Sequence, residues 1–600
     1  MKKWLYGIIS LIMLGSGIAV AMPNDFSMPC EDGNVEVTAP KQETPNQDNS
    51  NSQNDNSNSD NNSNSDDNSG NNSSDEPSQE PEESEEITTY EFRSYLDYFI
   101  DNDIVKDTMT EEDYTGSGTE EDPYIINSTR GFWYLGRYSP SRKHYELNCD
   151  VYLNDETFDE NGKPHGGDGV VYEWNMFTGP INSFDGNEHT VYGLYHNNPN
   201  TSRFGLFGQV EEDMENLKMN NFYINAGNNV GAIAYIVHRN LINCETFNGT
   251  IKAKERVGGL VNGFNRGYVK DCVNRTNIEA GYIAGGISSN MPDKISECKN
   301  YGKIFTRGGW VGGIIPHTAK TYVHIENCEN YGEIFGGTGQ HTGGVLGTYY
   351  HVEDGKVYLK NCKNYGYVHS NAGTQVGGMI ASFEGYATLV NCENYGKIAN
   401  LDPKTAGNFV GLIYNENNKS RSVVDIQGGY SKHGTNACIL GIIHHSSLLE
   451  IHSMRIDLTE EGSDAILVRR IASDSDVYVE NVEINTRNNV KNLSLFGHCD
   501  NYTNEVTVKN VLVNLNHDIN LTKPIFSLNL SGVNNFDGVV FFDNLKQGRG
   551  LYYGEDFSDY YLDYKTGKIG IRKLDNVGDF KGSISKEWLK DYKGYKLITI

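Results

Sequence analysis

Six short stretches recur along the middle of the chain and constrain its architecture more than any other feature. They are Val257-Gly258-Gly259-Leu260, Ala284-Gly285-Gly286-Ile287, Val311-Gly312-Gly313-Ile314, Thr342-Gly343-Gly344-Val345, Val376-Gly377-Gly378-Met379 and Val410-Gly411-Leu412-Ile413. Weaker forms stand at Phe204-Gly205-Leu206-Phe207 and Val230-Gly231-Ala232-Ile233. A second marker alternates with the first: Asn243-Cys244, Asp271-Cys272, Glu297-Cys298-Lys299-Asn300-Tyr301-Gly302, Asn327-Cys328-Glu329-Asn330-Tyr331-Gly332, Asn361-Cys362-Lys363-Asn364-Tyr365-Gly366 and Asn391-Cys392-Glu393-Asn394-Tyr395-Gly396. Two interleaved markers with one period, mostly about 26 to 34 residues, describe one structural unit that is repeated.

Runs such as Tyr322-Val323-His324-Ile325-Glu326 and Lys356-Val357-Tyr358-Leu359-Lys360 alternate apolar and polar residues, as half-buried strands do. Such a unit cannot close a core alone, but stacked units can, each pairing its strands in parallel with the coils above and below. The expected fold class is therefore all-β, a parallel β-helix. The Gly-Gly pairs fit positions of positive φ or of close backbone approach. Asn before Tyr-Gly is expected at a similar corner, because Asn tolerates left-handed geometry.

The alternation of Gly-Gly-aliphatic with Asn-Cys-x-Asn-x-Gly resembles the GLUG-motif repeats of bacterial surface and adhesin-like proteins, which implies a right-handed solenoid displayed outside the cell. Gly116-Ser117-Gly118-Thr119-Glu120-Glu121-Asp122-Pro123-Tyr124-Ile125-Ile126 resembles the segment that opens such helices, and Phe184 to Leu194 the coil that follows. The resemblance covers about Gly116 to Gly411. Beyond it only the rhythm persists, through Leu448 to Leu458, Val477 to Asn485, Val506 to Asn516 and Phe536 to Asp543. The β-helix is accordingly expected over 116–544, with a Tyr-rich C-terminal cap over 545–600. An N-terminal cap is expected over 87–115, where Tyr90 to Val105 carries apolar residues at helical spacing.

Ahead of that body, Lys2 and Lys3 precede an uncharged run from Trp4 to Ala21 that ends in Ala19-Val20-Ala21, a secretory signal over 1–21; an uncleaved signal would be the chain's one contact with a membrane. Ser27-Met28-Pro29 before Cys30 lacks a lipobox. Residues 22–86 read as a disordered linker, since Glu43 to Glu86 holds thirteen acidic residues and no Lys or Arg. A coil of about 65 residues reaches roughly 45 Å, and like-charge repulsion extends it. The formal net charge of -30 argues against nucleic acid as a partner.

Cys244, Cys272, Cys298, Cys328, Cys362 and Cys392 share one repeat position, so they are expected as a ladder of free, inward-facing thiols. In-register parallel side chains about 4.8 Å apart do not converge to the Cβ distance of a relaxed disulfide. No Cys-x-x-Cys, His-Glu-x-x-His, nucleophile elbow or phosphate loop occurs, so no metal site, cofactor or catalytic residue is assigned. Tyr301, Tyr331, Tyr365 and Tyr395 form a second ladder: outward, they make an aromatic strip for sugar rings or an extended partner; inward, they are core. Asp464, Asp474 and Asp476 with Arg469 and Arg470, and the His433-Gly434 pair, are the nearest approach to a polysaccharide-cleaving site. The leading expectation is an exported adhesin-like protein that binds an extracellular glycan or surface polymer. A β-helix polysaccharide lyase or glycoside hydrolase and a structural surface-layer component are the alternatives. The sequence carries no signal for an oligomeric state.

Overall fold

The structure is a computed structural model that describes residues 89–543, except 178, 339–340, 351–354, 403–404, 416–420, 435–436, 460–461, 464, 487–491, 494, 500–503 and 516–533. Beyond these it describes the backbone of three short antiparallel strands, Gly550–Tyr553, Phe557–Asp563 and Lys568–Gly570. The signal segment, the linker and most of the expected C-terminal cap lie outside the described residues.

The chain forms a parallel β-helix, a solenoid of about 10 turns. One coil runs through Tyr322–Glu326, Glu329–Asn330, Ile334–Gly336, His341–Gly343 and Leu346–Tyr349. Each of these strands pairs in parallel with its counterpart one coil later: Lys356–Lys360, Lys363–Asn364, Val368–Ser370, Gln375–Gly377 and Ile380–Phe383. Because the strand period is two, alternate residues fall inside, and in register they stack into rows such as Ile295, Ile325, Leu359, Leu389, Ile426 and Ile451, all fully buried. Each such side chain contributes about 1.5–3 kcal/mol by leaving water, before the cost of ordering the chain is set against it.

The two repeat markers meet across this interior. Asn274, Asn300, Asn330, Asn364 and Asn394 point inward and are fully buried. The amide Nδ2 of each of the first four donates to the Oδ1 of the next coil's Asn, at 2.7 Å from Asn274 to Asn300 and 2.8 Å along the rest of the row. From Asn300 onward each amide also donates to the Gly carbonyl two residues on, at 3.0–3.1 Å. These Asn residues are not the left-handed corners expected for them. That conformation belongs to the residue before each Cys, namely Asn243, Asp271, Glu297, Asn327, Asn361 and Asn391, with φ between 50° and 59°. The second glycine of each Gly-Gly pair lies against the buried amide. A Cβ on Gly313 would sit 2.0 Å from the Gly344 carbonyl oxygen and 2.6 Å from Asn330 Cγ, and Gly286, Gly344 and Gly378 stand likewise against Asn300, Asn364 and Asn394. Close approach, not positive φ, is what these glycines provide.

Register also corrects the sixth Gly marker. Val410–Ile413 pairs with Ile380–Phe383, and the true counterpart of Val376-Gly377-Gly378 is Ala406-Gly407-Asn408. At that coil Asn408 replaces the second glycine while Ser431 replaces the buried Asn, and Asn408 Nδ2 donates to Ser431 Oγ at 3.1 Å and to the Lys432 carbonyl at 2.8 Å. The amide has moved to the other side of the core, and the small residue has moved to meet it.

At the N-terminal end the helix Tyr95–Asp101 is capped by Ser94, whose hydroxyl accepts from Asp97 N while Asp97 Oδ2 accepts from Ser94 N. Tyr98 stacks on Trp133 at 4.0 Å, and Tyr95 and Phe99 also meet that indole. Trp133 sits in a second helix, Thr129–Tyr138, next to Trp174. Large rings thus fill the end of the core ahead of the Asn row.

Two predictions follow from these contacts. Asn330→Leu leaves one amide N–H of Asn300 and the amide oxygen of Asn364 buried without their partner and is expected to cost about 2–6 kcal/mol in chemical denaturation. Gly313→Asn is expected to be similarly costly, yet Gly313→Asn combined with Asn330→Ser, which copies the arrangement at Asn408 and Ser431, should lose less than the two single changes summed; strict additivity would refute the pairing. Separately, His341 and His433 are buried, and desolvation holds both at about 3, against an ordinary value of 6.5. The unfolded chain takes up these protons below about pH 6.5 and the folded chain does not. Stability is therefore expected to fall as pH drops from about 6.5 toward 4, by up to about 1.4 kcal/mol per unit per histidine, and thermal scans should show a shallower fall for His433→Phe.

Candidate binding face

The strip of Tyr301, Tyr331, Tyr365 and Tyr395 faces outward. Its rings stack nearly parallel, with centroids 4.6, 4.7 and 4.8 Å apart and interplanar angles of 4–6°. Arg275 covers the free face of Tyr301 at 4.1 Å, and Tyr430 stands against Tyr395 at 4.9 Å. The strip therefore presents ring edges and hydroxyls, and its faces are occupied by its own members. Beside it runs a charge-alternating row, with Lys299 paired to Glu329 at 3.2 Å and Lys363 to Glu393 at 2.8 Å. The Tyr331 and Tyr395 hydroxyls donate to Glu329 and Glu393 at 2.9 and 3.0 Å.

A second outward aromatic row lies on the following strands and was not anticipated. Ile304, Ile334 and Val368 point inward, so Phe305, Phe335 and His369 share the outer face at equivalent register. Phe335 stacks on His369 at 4.4 Å, and Phe305 leans on Phe335 at 5.2 Å with a tilt of 39°. On the other side of Phe305 the in-register residue is Glu279, so the aromatic row ends there and Phe305 is its terminal ring. Phe305 and Phe335 line an open groove of about 460 Å³, whose walls include Lys252, Glu279, Lys303 and Glu333. The tip of a hairpin, formed by Thr157–Phe158 and Pro164–His165, overhangs it through Glu160 and Asn161. Asn161 Oδ1 accepts from Lys252 Nζ at 3.3 Å, and Asn221 fixes the hairpin base by donating to the Glu156 carbonyl at 2.7 Å. Both carboxylates of the solenoid wall face cations, Glu279 with Arg307 at 2.8 Å and Lys252 at 3.8 Å and Glu333 with Lys303 at 3.5 Å, while His369, whose pKa burial lowers, lies 3.0 Å from Glu333. The period-two reading of Lys303-Ile304-Phe305 and Glu333-Ile334-Phe335 was the signal that could have revealed this groove.

Of the remaining candidates, Arg469 lies close enough to His433 to act on it electrostatically, and the others separate. Asp464 lies outside the described residues. Asp476 opens the strand Asp476–Thr486, where it pairs with Arg421 and accepts from Glu505 N at 2.7 Å. Arg470 stands in Val468–Ile471, in register with Ile442 and His498. His433 is an interior residue. The six ladder cysteines are buried and free, with Sγ near a backbone carbonyl, as in Cys298 to Ser296 O at 3.2 Å, and burial pushes the Cys298 and Cys392 thiols well up. No helix among the described residues is long and apolar enough to cross a membrane.

No family model matches the chain. Over 172 residues, 26% of this chain, it is 31% identical to halomucin of Haloquadratum walsbyi, of whose length the match spans 2%. Among solved structures it is similar to a "putative immunoglobulin A1 protease" from Bacteroides ovatus, with a TM-score of 0.28 and 17% identity, over 53% of this chain and 78% of that one.

The ladder thiols are expected to resist alkylation in the native protein and to label completely once it is unfolded. Mass spectrometry after iodoacetamide treatment checks this at Cys244, Cys272, Cys298, Cys328, Cys362 and Cys392, and native labelling at any of them would show that the coils open.

Proposed function

We propose that this chain is an exported, surface-displayed solenoid that binds an extended, hydroxyl-rich polymer, a glycan or a comparable surface polymer, along its lateral face. The observation that carries this reading is the groove at Phe305 and Phe335, where an aromatic floor is bordered by charged side chains. Aromatic faces take the apolar faces of sugar rings, while fixed carboxylates and ammonium groups take hydroxyls. Phe305 supplies the stacking surface, and Lys252, Glu279, Lys303 and Glu333 supply the polar contacts. The tyrosine strip adds edge and hydroxyl contacts on the same coils, four residues before each member of the Phe305 row. The signal-like N-terminus, the long acidic linker and the partial likeness to halomucin support display outside the cell.

A polymer-cleaving reading has one observation behind it, the presence of Glu279, Glu333 and Lys303 around one groove. Against it, Glu279 is paired with Arg307 and Lys252 and Glu333 with Lys303, whereas acid–base cleavage needs one carboxyl that holds its proton.

A glycan array read together with an assay for reducing or unsaturated ends tests both. Binding without cleavage is expected, and Phe305→Ala should weaken it about tenfold or more while leaving the circular dichroism unchanged. Cleavage of a bound polymer, or undiminished binding by Phe305→Ala, would overturn the proposal.

A further inference from the structure

Farther along the solenoid lies a cluster that the polymer-binding reading does not use. Asp425 and Glu450 occupy the same outward position on consecutive coils, and Gln427, His452 and Glu480 occupy the position two residues on. One donor atom from each of Asp425, Glu450 and His452 lies within 4.8 Å of the others. Although it is on the outer face, Asp425 is only 7% exposed. Its Oδ2 accepts from Gln427 Nε2 at 2.6 Å, whereas its Oδ1 is buried without a hydrogen-bond partner. That oxygen faces His452 Nε2 at 3.9 Å, too far for a hydrogen bond.

Two stacked carboxylates repel each other, and a buried carboxylate oxygen with no donor is costly. A cation between the three side chains removes both penalties. The second nitrogen of His452, Nδ1, lies 3.8 Å from Glu480 Oε2, which is itself held by the Tyr478 hydroxyl at 2.8 Å, so a small turn of the ring would complete the carboxylate–histidine contact that usually backs a metal-binding imidazole. One imidazole nitrogen and two carboxylate oxygens suit a borderline transition metal, whereas calcium and magnesium favour all-oxygen shells. Metal–ligand distances of about 2.0–2.2 Å require the donor atoms to draw together by roughly 1 Å, within the reach of the Glu450 and His452 side chains.

We propose that Asp425, Glu450 and His452 bind one divalent transition-metal cation of the zinc class, with Glu480 orienting His452 from behind. Linear motif searches do not see this site, because its ligands come from two strands one coil apart.

Isothermal titration of the metal-free full-length chain with zinc tests it. The chain has 16 histidines and 80 acidic residues, so the decisive quantity is the difference between variants. One tight site is expected in the wild type. Asp425→Asn and His452→Ala should each weaken it at least a hundredfold, and Glu480→Gln should weaken it about tenfold to a hundredfold. Zinc should also raise Tm in the wild type and not in Asp425→Asn, with circular dichroism confirming that both are folded. Cobalt in place of zinc should give the visible absorption of a nitrogen-containing site, lost in His452→Ala. The absence of a saturable zinc site, or a site of undiminished strength in the Asp425→Asn/His452→Ala double variant, would overturn the proposal, as would tighter binding of calcium than of zinc.

Discussion

The rest of the solenoid depends on one contact, a buried asparagine amide pressed against the bare Cα of a glycine across the core. A primary amide taken out of water must satisfy its donors and its acceptor, and the stacked row does so by passing hydrogen bonds from coil to coil. The amide needs room, and the glycine opposite supplies it. The gradation at the N-terminal edge of the row shows the same dependence. Leu206 and Ala232 stand where Gly259 stands later, and Met219 and Thr246 stand where Asn274 stands. As the small residue appears, the amide appears with it, and Thr246 closes the row by donating to Asn274 Oδ1 at 3.0 Å.

This division of labour decides where function can reside. Inward positions are committed to the Asn, Cys and aliphatic rows, and outward positions vary from coil to coil. Some of that variation also serves the scaffold: the tyrosine strip buries its own faces, and the Lys and Glu residues beside it alternate so that each coil meets an opposite charge. Exposed ion pairs of this kind are each worth only about 0–1 kcal/mol, and they matter more by penalising a wrong register than by adding stability. The aromatic groove and the Asp425 cluster differ because they break the repetition, the first by ending a ring row at Glu279, the second by placing two carboxylates in register.

The fold was legible because its period is written in residues that only one architecture reconciles, and the cysteine ladder followed from strand geometry. The asparagine before Tyr-Gly was misplaced because its chemistry suits a corner as well as a core. The opposing glycine that decides between them lies 14 to 20 residues away in sequence, as Gly286 from Asn300 and Gly344 from Asn364. Val410-Gly411 was aligned by its letters, whereas register showed that the coil had exchanged its Gly for Asn408. The outward tyrosines were named correctly as a row, but stacking, which removes their faces from use, is a property of neighbours one coil away. Phe305 and Asp425 were missed for that same reason, since each acquires its meaning from residues in register with it on other coils.

The direction of the amide rows bears on how such a chain assembles. The inner row donates forward, from Asn274 toward Asn394, while the outer row before the cysteines donates backward, from Asn361 to Asn327 at 2.9 Å and from Asn327 to Glu297 at 2.8 Å. A coil that docks onto a folded predecessor must therefore bring an acceptor on its inside and a donor on its outside at the same moment. Sliding by one residue, or docking reversed, offers neither. As the chain emerges N-terminus first, each completed coil acts as a keyed template for the next, and growth proceeds in one register from a short local search.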